Sequence, residues 1–280
     1  MVMFKDITVP QTGSSSDEQA LAAAVRLARA LQSHLTVLEL VTLPYPMVSA
    51  WGAADFAIGD LYQQVLAQGE ANVSKLNARL RGEHISHEVR LVQAFYGAPA
   101  LAVAQQAVHA DISIISGVAG DTAEGDLGRS CFGSLLISSG RPVLVIPEGS
   151  SAALPPATLL VAWTPTRESA RALHDALPML LAARSVHLVV VVEDGDGGVE
   201  KRDMAEIVAH LDRHGVKVQA KIQKREGAST AALLLAHAAR VGADMLVVGG
   251  FGHSRLREWA FGGVTRELLF DAKLPVLYSH

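Results

Sequence analysis

Short runs of consecutive apolar residues alternate along the chain with longer segments whose apolar residues recur every three or four positions. Residues 4–9 form such a run, closed by Pro10. Residues 16–31 then place Leu21, Ala24, Val25, Ala28 and Leu31 on one helical stripe, with Asp17 and Glu18 suited to the first turn. The same alternation predicts strands over 35–41, 85–92, 112–116 and 143–146, and helices over 61–80 and 99–109. Beyond residue 157 it predicts strands over 159–163, 186–192, 216–222, 245–248 and 275–278. Helices are expected near 167–183, 199–214, 228–241 and 263–272. In the second of these, Met204, Ile207, Val208 and Leu211 form the apolar stripe, and Gly215 suits the residue that ends it.

Strands that are apolar throughout, separated by amphipathic helices, imply parallel strands covered on both faces. The right-handed crossover rule then gives a doubly wound α/β sheet, whose ligand site lies beyond the carboxyl ends of the strands. The loops after Val9, Ser116, Trp163 and Val248 are therefore where chemistry is expected.

The pattern occurs twice. Val9-Pro-Gln-Thr12 and the helix start after it resemble Val161-Ala-Trp-Thr164 and its helix start, 152 positions on. Asp111-Ile-Ser-Ile-Ile-Ser-Gly117 resembles Asp244-Met-Leu-Val-Val-Gly-Gly250, 133 positions on, and Pro142-Val-Leu144 matches Pro275-Val-Leu277 at the same offset. The first copy thus holds 19 more residues between its opening and its fourth strand. They fall near 42–60, an apolar, aromatic, proline-containing segment around Trp51 that reads as a loop; of a lid over the ligand cleft, an interface with a second chain and packing over its own sheet, the last two are favoured. A Gly-, Ser- and Pro-rich stretch, Pro147–Pro156, separates the copies, so domains are expected at 1–148 and 157–280.

Composition narrows the function classes. Half of the 280 residues are hydrophobic, 19% are charged and 5% aromatic, which excludes wholesale disorder and requires an aliphatic core. A net charge of −4 argues against coating nucleic acid or an anionic membrane. The single cysteine, Cys131, excludes an internal disulfide. No signal-peptide pattern and no apolar run of membrane-spanning length is visible, so a soluble cytoplasmic protein is expected.

The segment Gly249-Gly-Phe-Gly252-His253-Ser-Arg-Leu-Arg-Glu-Trp-Ala-Phe-Gly262-Gly263-Val264-Thr265 stands out. It leaves a buried strand and enters a helix. Its glycines let backbone approach a ligand, and the helix start offers free N–H groups to an anion. It is neither a Walker A loop nor a dinucleotide fingerprint, and its pattern admits two readings: a phosphate cradle, or a tight strand-to-helix turn.

The two copies, Val9-Pro-x-x-Gly-Ser14, and Gly249-x2-Gly252-x9-Gly262 together resemble the universal stress protein family over nearly the whole chain. The resemblance implies two tandem doubly wound five-stranded parallel sheets of the adenine nucleotide alpha hydrolase-like kind, paired as an intramolecular pseudo-dimer. It also implies a phosphate site at the Gly-rich loop, with an Asp after the first strand near adenine and ribose. The Asp position is Thr164 in the second copy and Thr12 in the first. The first copy carries Ser116 and Ala119 where Gly249 and Gly252 stand, and its Gly133-Ser134 lies four residues late, predicting a longer loop and a shorter last helix. Nucleotide binding (ATP, ADP or AMP) is thus expected in the second copy only, through Thr164, Gly249, Gly252, His253, Gly262, Gly263, Val264 and Thr265.

His210 and His214, four apart on a helix, have zinc-ligand spacing, with Glu206 on the same face, but the sequence suggests no third ligand, and a solvated surface is the expectation; no metal is expected. Cys131, in Gly128-Arg-Ser-Cys-Phe-Gly133, reads as a core residue, with a redox-sensing thiol of lowered pKa as the competing reading. No catalytic elbow or paired carboxylate is present and no enzyme is expected, a slow ATPase being the exception left open. The expectation is a cytoplasmic stress-response module with weak or regulatory nucleotide binding, a protein partner of regulatory kind and a homodimeric state. The competing class is a protein-interaction module without nucleotide.

Overall fold

The computed structural model describes residues 4–43, 53–95, 98–117, 123–150, 153–193, 198–250 and 263–280. They form two compact units, Phe4–Arg141 and Pro142–His280.

The first unit runs β1 (Asp6–Gln11), α1 (Asp17–Leu31), β2 (His34–Leu43), α2 (Ala53–Arg81), β3 (His87–Phe95), α3 (Pro99–Ala107), β4 (Ile112–Ser116) and α4 (Ala123–Ser138). Its strands lie in the order β3-β2-β1-β4 and are all parallel. The second unit runs β5 (Val143–Ile146), β6 (Thr158–Trp163), α5 (Arg167–Ala182), β7 (Ser185–Val192), α6 (Gly198–Arg213), β8 (Val218–Lys224), α7 (Thr230–Val241), β9 (Met245–Gly249), α8 (Gly263–Asp271) and β10 (Val276–Ser279). Its order is β5-β10-β9-β6-β7-β8. All its pairs are parallel except β5 with β10, where Val276 faces Val145 antiparallel. The α/β class and the mostly parallel sheet expected from the sequence are therefore present. The fifth strand of the first sequence copy packs with the second unit.

Inner strands bury successive residues, as a sheet covered on both faces requires; β4 and β9 each bury four in a row. The outer strand β8 does not. Its Val218–Lys224 is half-buried or exposed and carries Lys221 and Lys224, which blunt a sheet edge. The repeat has a physical mark in both units. Asp111 Oδ2 accepts the N–H groups of Lys5 and Asp6 at 2.6 and 3.1 Å. Asp244 Oδ2 accepts those of Ala157 and Thr158 at 2.9 and 2.8 Å. Each aspartate ties the start of its fourth strand to the start of the first.

Three expectations change. Strand β1 continues through Pro10 to Gln11, because β4 pairs with it only at Ile7 and Thr8, so Pro10 lies beyond the doubly paired stretch. Helix α2 begins at Ala53, so the stretch 53–60 expected as loop is helical; Ala-Ala-Asp-Phe-Ala contains no proline to oppose it. Residues 44–52, with Trp51, lie outside the described residues. The expected short last helix of the first copy is instead the 16-residue α4, against nine residues in α8. Cys131, Phe132, Leu135 and Leu136 make a buried helical face whose packing outweighs the helix cost of Gly128 and Gly133, about 1 kcal/mol each. Gly133-Ser134 is thus helix interior and opens nothing.

Candidate functional site

The carboxyl ends of the second unit's strands place several expected residues. Thr164 follows β6 directly and is exposed. Its carbonyl accepts the N–H of Thr166 at 2.7 Å. Thr166, extended at φ −125° and ψ 160°, caps α5 by accepting the Ser169 N–H on its hydroxyl at 3.3 Å.

Gly249 ends β9 against the first turn of α5. A Cβ there would stand 2.6 Å from the Ser169 nitrogen and 2.7 Å from the Glu168 carbonyl carbon, both backbone atoms. Glycine is therefore demanded at 249 by strand–helix packing, whatever else the loop does. Next to it, Gly250 donates its N–H to the Ser279 carbonyl at 2.8 Å, and its own carbonyl lies 3.1 Å from His280 Nδ1. Burial raises the Glu168 carboxyl, but its own backbone N–H, Arg167 and His280 outweigh that and leave it below the ordinary value.

Helix α8 opens at Gly263. Gly263 and Val264 are exposed and Thr265 is buried. Gly252, His253 and Gly262 lie outside the described residues. Trp163, the last residue of β6, donates its indole N–H to Asp203 Oδ2 on α6 at 2.6 Å. That fixes an aromatic reporter one residue before Thr164.

The equivalent turn of the first unit is built differently. The N–H groups of Thr12, Gly13 and Ser14 converge on Asp17 Oδ2 at 2.5, 2.9 and 3.1 Å, and the Thr12 hydroxyl donates to Oδ1 at 3.2 Å. This is the geometry with which backbone holds an anion, and the anion is a side chain of α1. Burial still raises the Asp17 carboxyl above its ordinary value, against the lowering effect of those donors. Glu39 on β2, taking a hydrogen bond from Asn72 Nδ2 at 2.7 Å, is raised by burial and by the charge of Asp17. Cys131 is 1% exposed; burial, and then Asp17, push its thiol up to about 12. That overturns the reading of a thiol with lowered pKa, because α4 carries Cys131 in its interior, away from the helix start that would stabilise a thiolate.

Sequence reasoning assigned no role to Glu168 or Asp17 beyond a helix first turn for the latter. The signal was an acidic residue in each first turn, a position common enough in helices to carry no more than a capping expectation.

A family model described as the universal stress protein family matches the chain twice, over residues 3–147 and 157–280. No curated protein matches it significantly. Among solved structures, a universal stress protein from Archaeoglobus fulgidus DSM 4304 is similar with a TM-score of 0.68 and 16% identity, covering 99% of each chain. A putative universal stress protein from Pseudomonas aeruginosa UCBPP-PA14 is similar with a TM-score of 0.61 and 18% identity, covering 99% of this chain and 93% of the other. At these identities the likeness is one of fold. No described helix is long and apolar enough to cross a membrane. With both sequence copies matched by the same model, the chain belongs to the universal stress protein family.

Proposed function

We propose that this family member is a cytoplasmic stress-response module whose second unit binds an adenine nucleotide, ATP, ADP or AMP, weakly and in a regulatory role. The observation that carries the reading is the contrast between the two turns. In the first unit the backbone donors already hold Asp17. In the second, Thr164 is exposed at the strand end, and α8 opens with exposed Gly263 and Val264. The first N–H groups of a helix have no partner within it and attract phosphate. In this reading Gly249, Gly252, His253 and Gly262 shape the phosphate loop, and Gly263, Val264 and Thr265 hold the anion through the first turn of α8. Thr164 faces the nucleoside. The module acts through a regulatory protein partner and works as a homodimer.

One observation favours a second reading, an interaction module without nucleotide. Gly249 has a sufficient reason in its packing against Glu168 and Ser169, and so does not count toward a ligand. Isothermal titration of the full chain with ATP, ADP and AMP, read together with Trp163 fluorescence, separates the two. One weak site is expected, and Thr164→Asp should tighten it about tenfold by restoring a carboxylate acceptor for nucleoside donors, a gain of about 1.4 kcal/mol. No heat above background at millimolar ligand, with or without that substitution, leaves the interaction module as the function.

A further inference from the structure

The outer strand β8 of the second unit presents unpaired backbone. Among the described residues it pairs only with β7. The N–H of Arg225, just past its end, donates to the Val192 carbonyl of β7 at 2.9 Å. By the alternation of a strand, Lys224, Ile222, Ala220 and Val218 then turn their N–H and C=O groups outward. No described group pairs with them.

The charge on this edge is of one sign. From Lys217 to Arg225 the chain carries four cations and no acid. Arg225 is paired with Glu193. Lys217, Lys221 and Lys224 are exposed and meet no carboxylate among the described residues. Register sets Gln219 beside His187, whose ring lies 6.2 Å from that of His237 on α7. Gln219, Lys221 and Gln223 therefore share the α7 face, and Val218, Ala220 and Ile222 share the α6 face. Helix α7 holds no acid either, and its Arg240 turns onto the His237 ring instead of a carboxylate. The groups whose charge acts on His237 are Arg240, Lys221 and His187, with no anion among them. The outer strand of the first unit differs: β3 sets Glu88 against Arg90, so those charges are met in place.

Lysines on an open edge repel a second copy of that edge. They attract an acidic strand. We propose that β8 is a docking edge for an extended acidic segment of a partner protein, which adds as a further strand to the outward backbone groups. Acidic side chains of that segment meet Lys221 and Arg240 on the α7 face. Its alternate, apolar side chains lie against Val218, Ala220 and Ile222 on the α6 face. Backbone pairing supplies affinity, and charge selects the partner. A nucleic acid answers the charge but offers no strand to the backbone. The docking edge goes beyond the nucleotide reading and is independent of it.

The test titrates the full chain into a fluorescently labelled peptide, Glu-Val-Glu-Val-Glu-Val-Glu, which matches the seven residues of β8. Micromolar binding at low salt is expected, with hydrogen exchange of the Val218, Ala220, Ile222 and Lys224 amides slowed about tenfold at saturation. Lys221→Glu and Arg240→Glu should each weaken binding about tenfold. Ala220→Pro, which removes one outward N–H at an exposed position, should weaken it as much. Lys75→Glu on the first unit should leave it unchanged, and the peptide with Lys in place of Glu should not bind. Exposed Lys221 makes its variant safe for folding. Absence of binding at millimolar peptide, full affinity in Lys221→Glu, or binding without slowed exchange of those amides each overturns the docking edge. Equal binding of a single-stranded oligothymidylate of the same charge overturns it as well.

Discussion

After β1 the chain turns through Thr12, Gly13 and Ser14 with three backbone N–H groups aimed at one oxygen of Asp17. After β6 it turns through Thr164 and Pro165, a neutral hydroxyl of Thr166 caps the helix, and Ser169 stands at the place of Asp17 by the repeat offset. At the end of the fourth strand the contrast runs the other way. The first unit accepts a side chain at Ser116, whereas the second tolerates none at Gly249 because the α5 backbone lies against it. The two copies of one strand–helix pattern thus build the turns at their strand ends by two routes. The first closes the turn with its own buried carboxylate. The second packs the α5 backbone against Gly249 and leaves its strand-end threonine in solvent.

The largest effect should come from breaking the first route. Asp17→Ala leaves three backbone donors without their acceptor in a buried place and should lower stability by about 3 kcal/mol in urea denaturation. Asp17→Asn keeps an oxygen for the N–H groups and should cost clearly less. The converse test is Gly249→Ala, whose methyl group must push Glu168 and Ser169 backbone aside; about 2 kcal/mol is expected from overpacking. Equal stability of Gly249→Ala and wild type would remove the packing reason for this glycine. Thr166→Ala should cost about 1 kcal/mol, the usual worth of a helix cap, against the larger loss at Asp17.

The finest contrast is in pH dependence, and its sign differs between units. Asp17 has a raised carboxyl value in the fold, mainly through burial. The folded state then keeps a proton that the unfolded chain has released, so this contribution is full at low pH and is lost as pH rises through the raised value. His237, which faces Arg240, Lys221 and His187, is instead pushed down to about 4, chiefly by burial. Its contribution is present above the ordinary value of 6.5 and is lost as pH falls toward about 4. Urea midpoints measured from pH 4 to 7 should therefore show opposite differences from wild type for Asp17→Asn and His237→Gln. Parallel curves for the two variants would break the comparison.

Much of the fold was legible from the chain. Consecutive apolar runs marked β4, β5, β9 and most of the other strands within a residue or two, and the 133-residue offset marked Asp111 and Asp244, which do the same tethering in each unit. Glycines misled where packing overrode them: α4 runs straight through Gly128 and Gly133 because Cys131, Phe132, Leu135 and Leu136 bury one face of it. Of the candidate site, the sequence identified Thr164 at a strand end and Gly249 at a strand-to-helix exit.

Periodicity, repeat offsets and first-turn acids are properties of neighbours along the chain, and the sequence by itself determined them: two α/β copies, aliphatic and parallel-stranded, with the glycine-rich segment in the second alone. What lies across from a residue depends on strand order and helix docking, and only the tertiary structure decided it. It set the α5 backbone under Gly249, buried Cys131 within reach of the Asp17 charge, and carried His174 to within about one ring's width of His210 and His214. The physical reason is that burial and close approach are set by residues tens of positions away, where no local pattern reaches.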